Sequence, residues 1–374
     1  MKSRTKGVAA AILGTLGLVL SGCAKNAPQD TFKPEGPYAR KIDNLINPIY
    51  LIACLVGLIV FGAVVFVIFK YRDRPERANE LPAQIHGNTR LEVMWTLAPA
   101  VLLLVIAVPT LATIFDLAEE PKDAVVINVI GQQWWWEFQY PNIDGKGTTV
   151  VTANDMVIPA GVNVKLNITS RDVIHSFWLP RLNGKRDAVP NRIHPLTVKA
   201  DEPGEFWGQC AEFCGLSHAN MRIRSTALSA EDWDAWVANQ IKPAAEPTTD
   251  SAKAGLSAFN SQCAQCHQIN GVNQAQSVPL VAGAAPNLTH LMSRTVFAGA
   301  MFDLKKQTPE CAADTGGMPT GTSVECLNET DLRAWLRNPP GEKPMAATEN
   351  RGMPNLNLTE QQIDDLVAYL STLK

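Results

Sequence analysis

The chain has 374 residues, 46% of them hydrophobic and 18% charged, with a formal net charge of −3. That length gives room for two or three domains, and a charge balance so near zero carries no nucleic-acid footprint. Eight cysteines and six histidines are enough for more than one metal or thiol site.

The apolar excess lies in the first third. Lys2, Arg4 and Lys6 precede an uncharged stretch, residues 8–20, which reads as the n-region and h-region of a secretory signal over residues 1–22. The stretch ends Leu20, Ser21, Gly22, Cys23, which resembles a bacterial lipoprotein cleavage box and implies lipidation of Cys23. Residues 23–48 follow as an outer N-terminal segment. Residues 49–69 and 93–115 carry no charge, and each reaches the ~20 residues that a bilayer-spanning helix needs. Lys70, Arg72, Arg74, Arg77 and Arg90 lie between these spans, whereas Asp116, Glu119, Glu120 and Asp123 follow the second. The positive-inside rule puts the short connection in the cytoplasm and everything beyond about residue 117 on the outer, periplasmic face of a bacterial inner membrane. Glu92 stands at the cytoplasmic start of the second span. It reads either as a helix-start carboxylate favoured by the dipole or as a site of proton intake.

From Val125 the pattern turns to short strands. Val162, Val164, Leu166 and Ile168 alternate with Asn163, Lys165, Asn167 and Thr169, which predicts a half-buried strand of period two. Residues 125–130, 196–198 and 222–227 add further strands, and Pro159, Gly161, Gly184, Pro190, Pro195 and Gly204 mark turns. Many short strands over residues 117–241 predict a β-sandwich or Greek-key barrel. A helix closes the domain: Ser229 and Asp232 read as a capping pair, and Trp233, Trp236, Val237 and Ile241 share one face. The run Gln133 to Tyr140 holds three adjacent tryptophans, which cannot all face inward on an extended segment. At least one is expected to look outward or toward the membrane, with Trp136 and Phe138 in the core.

The most informative stretch is residues 210–221, with Cys210, Cys214, His218 and Met221. Thiolate, imidazole and thioether form a soft-to-borderline donor set that suits copper. Two cysteines four apart on a tight loop can share two metal ions, and His175 is the natural second imidazole. A small disulfide loop explains neither His218 nor Met221, and zinc takes Cys and His but not Met.

Residues 242–254 are rich in Pro, Thr and small side chains and read as a linker to a domain over residues 255–374. Cys263, Cys266 and His267 form C-x-x-C-H, the attachment signature of c-type haem. A methionine as sixth ligand raises the potential. Met353, before Pro354 and shortly before the last helix, is the candidate; Met345, Met318 and His290 are its rivals. Thr359 and Gln362 form a capping box, and Ile363, Leu366, Val367, Leu370 and Leu373 share one face, expected to pack on the N-terminal haem helix. Cys311 and Cys326 flank a Gly- and Thr-rich insertion and in an oxidising compartment are expected to form a disulfide.

The pattern C-x-E-x-C-x-x-x-H-x-x-M, preceded by D-V-x-H-S, looks like the dinuclear copper A loop of cytochrome c oxidase subunit II. With the haem motif, the chain resembles the caa-type form of that family. The resemblance covers nearly the whole chain. It implies a two-helix transmembrane hairpin, a β cupredoxin-like Greek-key domain and an all-α class I cytochrome c domain. It implies that Cys210 and Cys214 bridge two coppers, that His175 and His218 each bind one, and that Met221 and the Glu212 carbonyl are the weak ligands. The Glu212 side chain would turn toward a magnesium or manganese ion shared with subunit I. Trp134 matches the position that admits electrons from cytochrome c, and Glu92 the mouth of a proton channel. The implied function is electron input to a terminal oxidase that reduces oxygen to water and translocates protons, with subunits I and III, an external cytochrome c or other periplasmic donor, and the lipid bilayer as partners. The tethered haem would raise its own effective concentration at the copper site. A nitrous oxide reductase-like protein shares the copper loop but needs a second large copper domain. A free-standing membrane electron carrier does not need the hairpin, and quinol oxidase subunits lack the copper ligands.

Overall fold

A computed structural model describes residues 27–72, 84, 86–273, 285–309, 311, 324–346 and 351–374. The secretory signal over residues 1–22, Cys23, Arg74, Arg77 and Met318 lie outside the described residues.

Two long helices open the structure: α1 (Pro37–Tyr71) and α2 (Thr89–Leu117). Both are long and apolar enough to cross a membrane. Leu51 is 74% exposed and Phe115 72% exposed within the chain, so their apolar side chains are left for lipid. Asn88 caps α2, its side chain accepting from the amides of Arg90 and Leu91. At 1.5 Å per residue α1 is about 52 Å long, well beyond the ~30 Å hydrocarbon core. The surplus lies at its N-terminal end, where residues 23–48 are expected to form a segment outside the span. There the helix rests on the β domain: Ala39 is buried, its amide donating to Leu182 O, Tyr38 Oη donates to Asn163 Oδ1, and Arg40 pairs with Asp201.

The β domain has a five-stranded sheet in the order β3 (Val150–Ala153), β2 (Trp135–Tyr140), β1 (Val125–Gln132), β5 (Val164–Ser170), β8 (His194–Val198). A three-stranded sheet runs β4 (Asp155–Pro159), β10 (Arg222–Leu228), β9 (Gly204–Gln209), and a hairpin joins β6 (His175–Phe177) to β7 (Arg186–Ala188). β5 alternates buried and half-buried residues along its whole length, the period-two pattern of a strand packed on one face. Trp136, Phe138, Met156, Ile158, Leu166, Ile168 and Phe177 fill the core. Tyr140 Oη donates to Val157 O and accepts from Val157 N, which ties β2 of one sheet to β4 of the other. Helix α3 (Ala230–Gln240) starts where Ser229 caps the amide of Asp232; Trp236 is buried against Tyr140, while Ile241 stays 41% exposed.

The C-terminal domain is helical: α4 (Asp250–Ala258), α5 (Glu329–Arg337), the short α6 (Pro339–Glu342) and α7 (Glu360–Leu370). A two-stranded hairpin, β11 (Val296–Phe297) with β12 (Phe302–Asp303), adds to the helices, its Phe297 and Phe302 rings packed on Trp335. Helix α4 begins inside the stretch that reads as linker, because Thr249 caps the amide of Ala252. The remaining linker is not free either: the Ala244 amide donates to Asn270 O. α7 has the full capping box of Thr359 and Gln362, and Ile363, Leu366, Val367, Leu370 and Leu373 are all buried. Cys311 and Cys326 form a disulfide.

Candidate metal and haem centres

The loop over residues 210–221 is closed by backbone bonds before any ligand is counted. The Cys210 amide donates to Met221 O at 2.9 Å, joining its two ends, and the amides of His218, Asn220 and Met221 turn back onto Gly215, Ser217 and His218. The Ala211 amide donates to Ser176 O, which holds the loop against β6 and so against His175. His175 is fully buried. It fits because Gly131 on β1 has no side chain: a Cβ there would lie 2.7 Å from His175 Cδ2.

These contacts gather every predicted copper ligand. Cys210 Sγ lies 3.8 Å from Cys214 Sγ, 3.9 Å from His175 Nδ1 and 3.2 Å from Glu212 O. Cys214 Sγ lies 3.5 Å from His218 Nδ1 and 3.8 Å from Met221 Sδ. The Glu212 side chain is exposed while its carbonyl faces the site. A disulfide needs sulfurs about 2.05 Å apart, so this pair is held close without being bonded. One carbonyl, two imidazoles, one thioether and two thiols exceed a tetrahedral zinc shell and suit a pair of copper ions.

The electrostatics favour a thiolate. Hydrogen bonding from Cys214 holds the Cys210 thiol well below the usual range, helped by His175 and the Ser176 amide, and the same bond with burial pushes Cys214 up. One sulfur is therefore ready as a ligand, and the second proton leaves as metal binds. Burial depresses the His175 imidazolium, but its bond to Asp172 and the contact with Cys210 outweigh this and raise it. Asp172 Oδ1 lies 2.8 Å from His175 Nε2, and its other oxygen accepts from the Gln133 amide at 2.7 Å. Burial would raise the Asp172 carboxyl; the bonds from His175, Gln133 and Val173 lower it instead. The carboxylate thus turns Nδ1 toward the sulfurs. The side chains of Gln133 and Trp134 both donate to Cys214 O, at 2.8 and 3.0 Å, and steady the loop from the far side.

In the C-terminal domain Cys263 ends a single π turn over Phe259–Cys263. The amides of Cys266 and His267 both donate to Cys263 O, which curls the three side chains onto one turn. Cys263 and Cys266 are not bonded to each other. His267 Nδ1 donates to Pro286 O at 2.8 Å, which leaves Nε2 as the free donor atom, the arrangement an axial imidazole requires. Burial lowers the His267 imidazolium, so the ring is neutral and able to ligate. Met353 packs against this domain's core, whereas Met345 packs against the core of the β domain. His290 spends both ring nitrogens on carbonyls, those of Lys374 and Lys242.

One expectation changes. Trp134, Trp135 and Trp136 are 3%, 7% and 0% exposed, so no member of the run looks outward. Trp134 sits in the turn between β1 and β2, so strand alternation does not govern it, and Lys343 of the C-terminal domain bonds its carbonyl. Glu92 lies exposed in the first turn of α2. Asp172 was within reach of the sequence, three residues before His175, but its role as the orienting carboxylate emerges only from the fold. Lys343 and Asp155, which bridge the two domains, carried no signal.

The family model for cytochrome c oxidase subunit II, transmembrane domain, matches residues 29–113; that for the periplasmic domain of the same subunit matches residues 125–228; and that for cytochrome c matches residues 252–374. The chain is 35% identical over 371 residues to cytochrome c oxidase subunit 2 of Alkalihalophilus pseudofirmus, covering 97% of this chain and 96% of the relative. It is 33% identical over 382 residues to cytochrome c oxidase subunit 2 of Bacillus sp. strain PS3, with the same coverage of 97% and 96%. The crystal structure of the periplasmic domain of subunit II of cytochrome oxidase from Bradyrhizobium japonicum is 32% identical, covers 32% of this chain and 95% of its own, and superposes with a TM-score of 0.30.

Proposed function

The chain belongs to the cytochrome c oxidase subunit II family, in a form that carries a cytochrome c domain, and we propose that it holds a two-centre electron relay. The subunit serves electron input to a haem-copper oxidase, and the oxidoreductase activity is that of the complex with subunit I. It is a membrane protein with two spans; its subunit II domain implies a copper A centre and its C-terminal domain a haem.

In our reading Cys210, Cys214, His175, His218, Met221 and Glu212 O would hold the coppers, the two thiolates being shared between them. The observation that carries this is the convergence of all six donors on one buried space, with the two sulfurs 3.8 Å apart and unbonded. Cys263 and Cys266 hold the haem covalently, His267 Nε2 and Met353 bind its iron, and this makes it c-type. When bound, both groups supply reversible one-electron chemistry. The protein's part is to keep ligand geometry fixed, so that little rearrangement accompanies a change of charge. The sheet, the Asp172–His175 bond and the closed loop do this for copper.

Further parts of the reading follow from the family. Both centres face the periplasm, opposite the basic loop. Exposed Phe213 and Leu216 flank Glu212, an apolar surface that suits subunit I, and the Glu212 carboxylate supplies a ligand for magnesium or manganese there. Subunit III, an external cytochrome c or other donor, proton intake at Glu92 and lipidation of Cys23 complete it. The complex reduces oxygen to water and translocates protons. The test is the full chain with haem matured and copper loaded: a c-type optical spectrum together with an electron paramagnetic resonance signal spread over two coppers is expected. Haem without that copper signal would overturn the copper assignment.

A further inference from the structure

The contact between the two outer domains is built from buried polar groups. Lys343 is 3% exposed, and its Nζ donates to Trp134 O of the β domain at 2.6 Å and to Ala298 O of its own domain at 3.0 Å. Among the described residues no carboxylate pairs with it. Burial pulls its ammonium down to about 7, against the pull of Cys214. A charged group with only two carbonyl partners is costly to bury, and those carbonyls would be left unpaired without it.

The neighbouring residues reinforce the contact. Ser217 Oγ donates to Pro344 O, and Met345 and Ala346 pack on the β-domain core. The Arg222 amide donates to Gly299 O at 2.9 Å. Gly299 has φ +80°, and a Cβ there would lie 2.7 Å from Asn220 O and 2.9 Å from Trp134 O. Thr295 makes a second anchor: its amide and hydroxyl both donate to Asp155 Oδ2, at 2.8 and 2.6 Å, and Asp155 is 2% exposed. Contacts between domains in one chain are commonly polar but wet and movable. Here Lys343, Ser217, Arg222 and Thr295 are each paired across the seam, which marks a fixed joint.

We propose that Lys343 is a positioning residue that locks the C-terminal domain onto the metal loop and closes the Trp134 face to external electron-donor proteins. It rests on the reading of Trp134 as the position where subunit II admits electrons. The joint holds at several points, among them Lys343 over Trp134, Ser217 on Pro344, Arg222 on Gly299 and Thr295 on Asp155, so the domain stays seated.

The test is hydroxyl-radical labelling of Trp134, read by mass spectrometry, with amide hydrogen exchange at Arg222 and Thr295. It uses the full chain in detergent with haem and copper bound. In the native chain Trp134 is protected and both amides exchange slowly. In Lys343→Met, labelling of Trp134 and exchange at Arg222 are expected to rise about tenfold, since losing a hydrogen bond to a charged group shifts a local opening by that order. The copper and haem spectra are expected to stay as they are. Gly299→Ala, whose Cβ would crowd Lys343 Nζ, Asn220 O and Trp134 O in the same seam, is expected to act in the same direction and serves if Lys343→Met does not fold. Native Trp134 labelling at the rate seen in the variants, or unchanged protection in both variants, would overturn the proposal. Labelling does not read electron transfer, so either result leaves the relay standing, while a missing copper signal would sink the relay and leave the labelling result intact.

Discussion

In the β domain five of the six proposed copper donors lie within residues 210–221, and the ends of that stretch are joined by the Cys210 amide on Met221 O. In the C-terminal domain Cys263, Cys266 and His267 share one turn, but Met353 arrives from a separate segment just before α7. The first site is closed by backbone hydrogen bonds and a sheet, so its donors meet without the metal. The second needs its cofactor to span two segments. The difference explains why copper suits a rigid loop on strands, while haem suits helices that close around a covalently held ring. It also predicts that the two sites fail independently.

The sharpest break is Cys210→Ser or Cys214→Ser. Either is expected to abolish the dinuclear copper signal while haem stays attached, read by paramagnetic resonance beside the optical haem band. Loss of haem in the same variant would mean that the two regions are not independent. A graded loss comes from Asp172→Asn, which keeps shape but weakens the hold on His175 Nε2. Partners of this kind are typically worth about 10–100-fold in metal affinity, measured by copper titration of the metal-free chain.

For the haem side, Met353→Ala is expected to leave the haem covalently bound, shift its spectrum and lower its potential. Met345→Ala is expected to cost about 1–2 kcal/mol, since its side chain packs in part on the β-domain core, and to move the haem spectrum far less than Met353→Ala, because Met345 Sδ only accepts from the Met353 amide at 3.0 Å. Loss of the methionine-ligated spectrum in Met345→Ala with its retention in Met353→Ala would reverse the ligand choice. The smallest effect is Thr359→Ala, which removes the N-cap of α7 and is expected to cost about 1 kcal/mol in thermal or denaturant unfolding without moving either spectrum.

Much of this was legible in the residues. The period-two alternation of residues 162–169 is a β strand because one face is buried, and the α7 stripe is buried because it repeats with the helical period. The copper donors and the C-x-x-C-H turn announce themselves because metal and haem chemistry demand particular side chains at short spacing. Each of these depends on local geometry, which the order of residues carries directly.

The remainder depends on who becomes whose neighbour. The three tryptophans, read as a strand, had to show one ring outward; in the folded chain Trp134 lies in a turn and the other domain lies on its carbonyl. The composition of residues 242–254 reads as a linker, and the helix that Thr249 caps begins inside that stretch. Asp172 acquires its role from the strand that brings His175 behind Gly131, and Lys343 from a domain more than two hundred residues away in sequence from Trp134. The sequence by itself determined the two membrane spans and the fold class, and it carries the proposed donors of both centres at short spacing, since these follow from hydropathy, periodicity and ligand chemistry. Only the tertiary structure decided how the donors are oriented, which methionine belongs to which core, and how the two domains are bolted together, since those rest on long-range contacts between buried groups that no local pattern encodes.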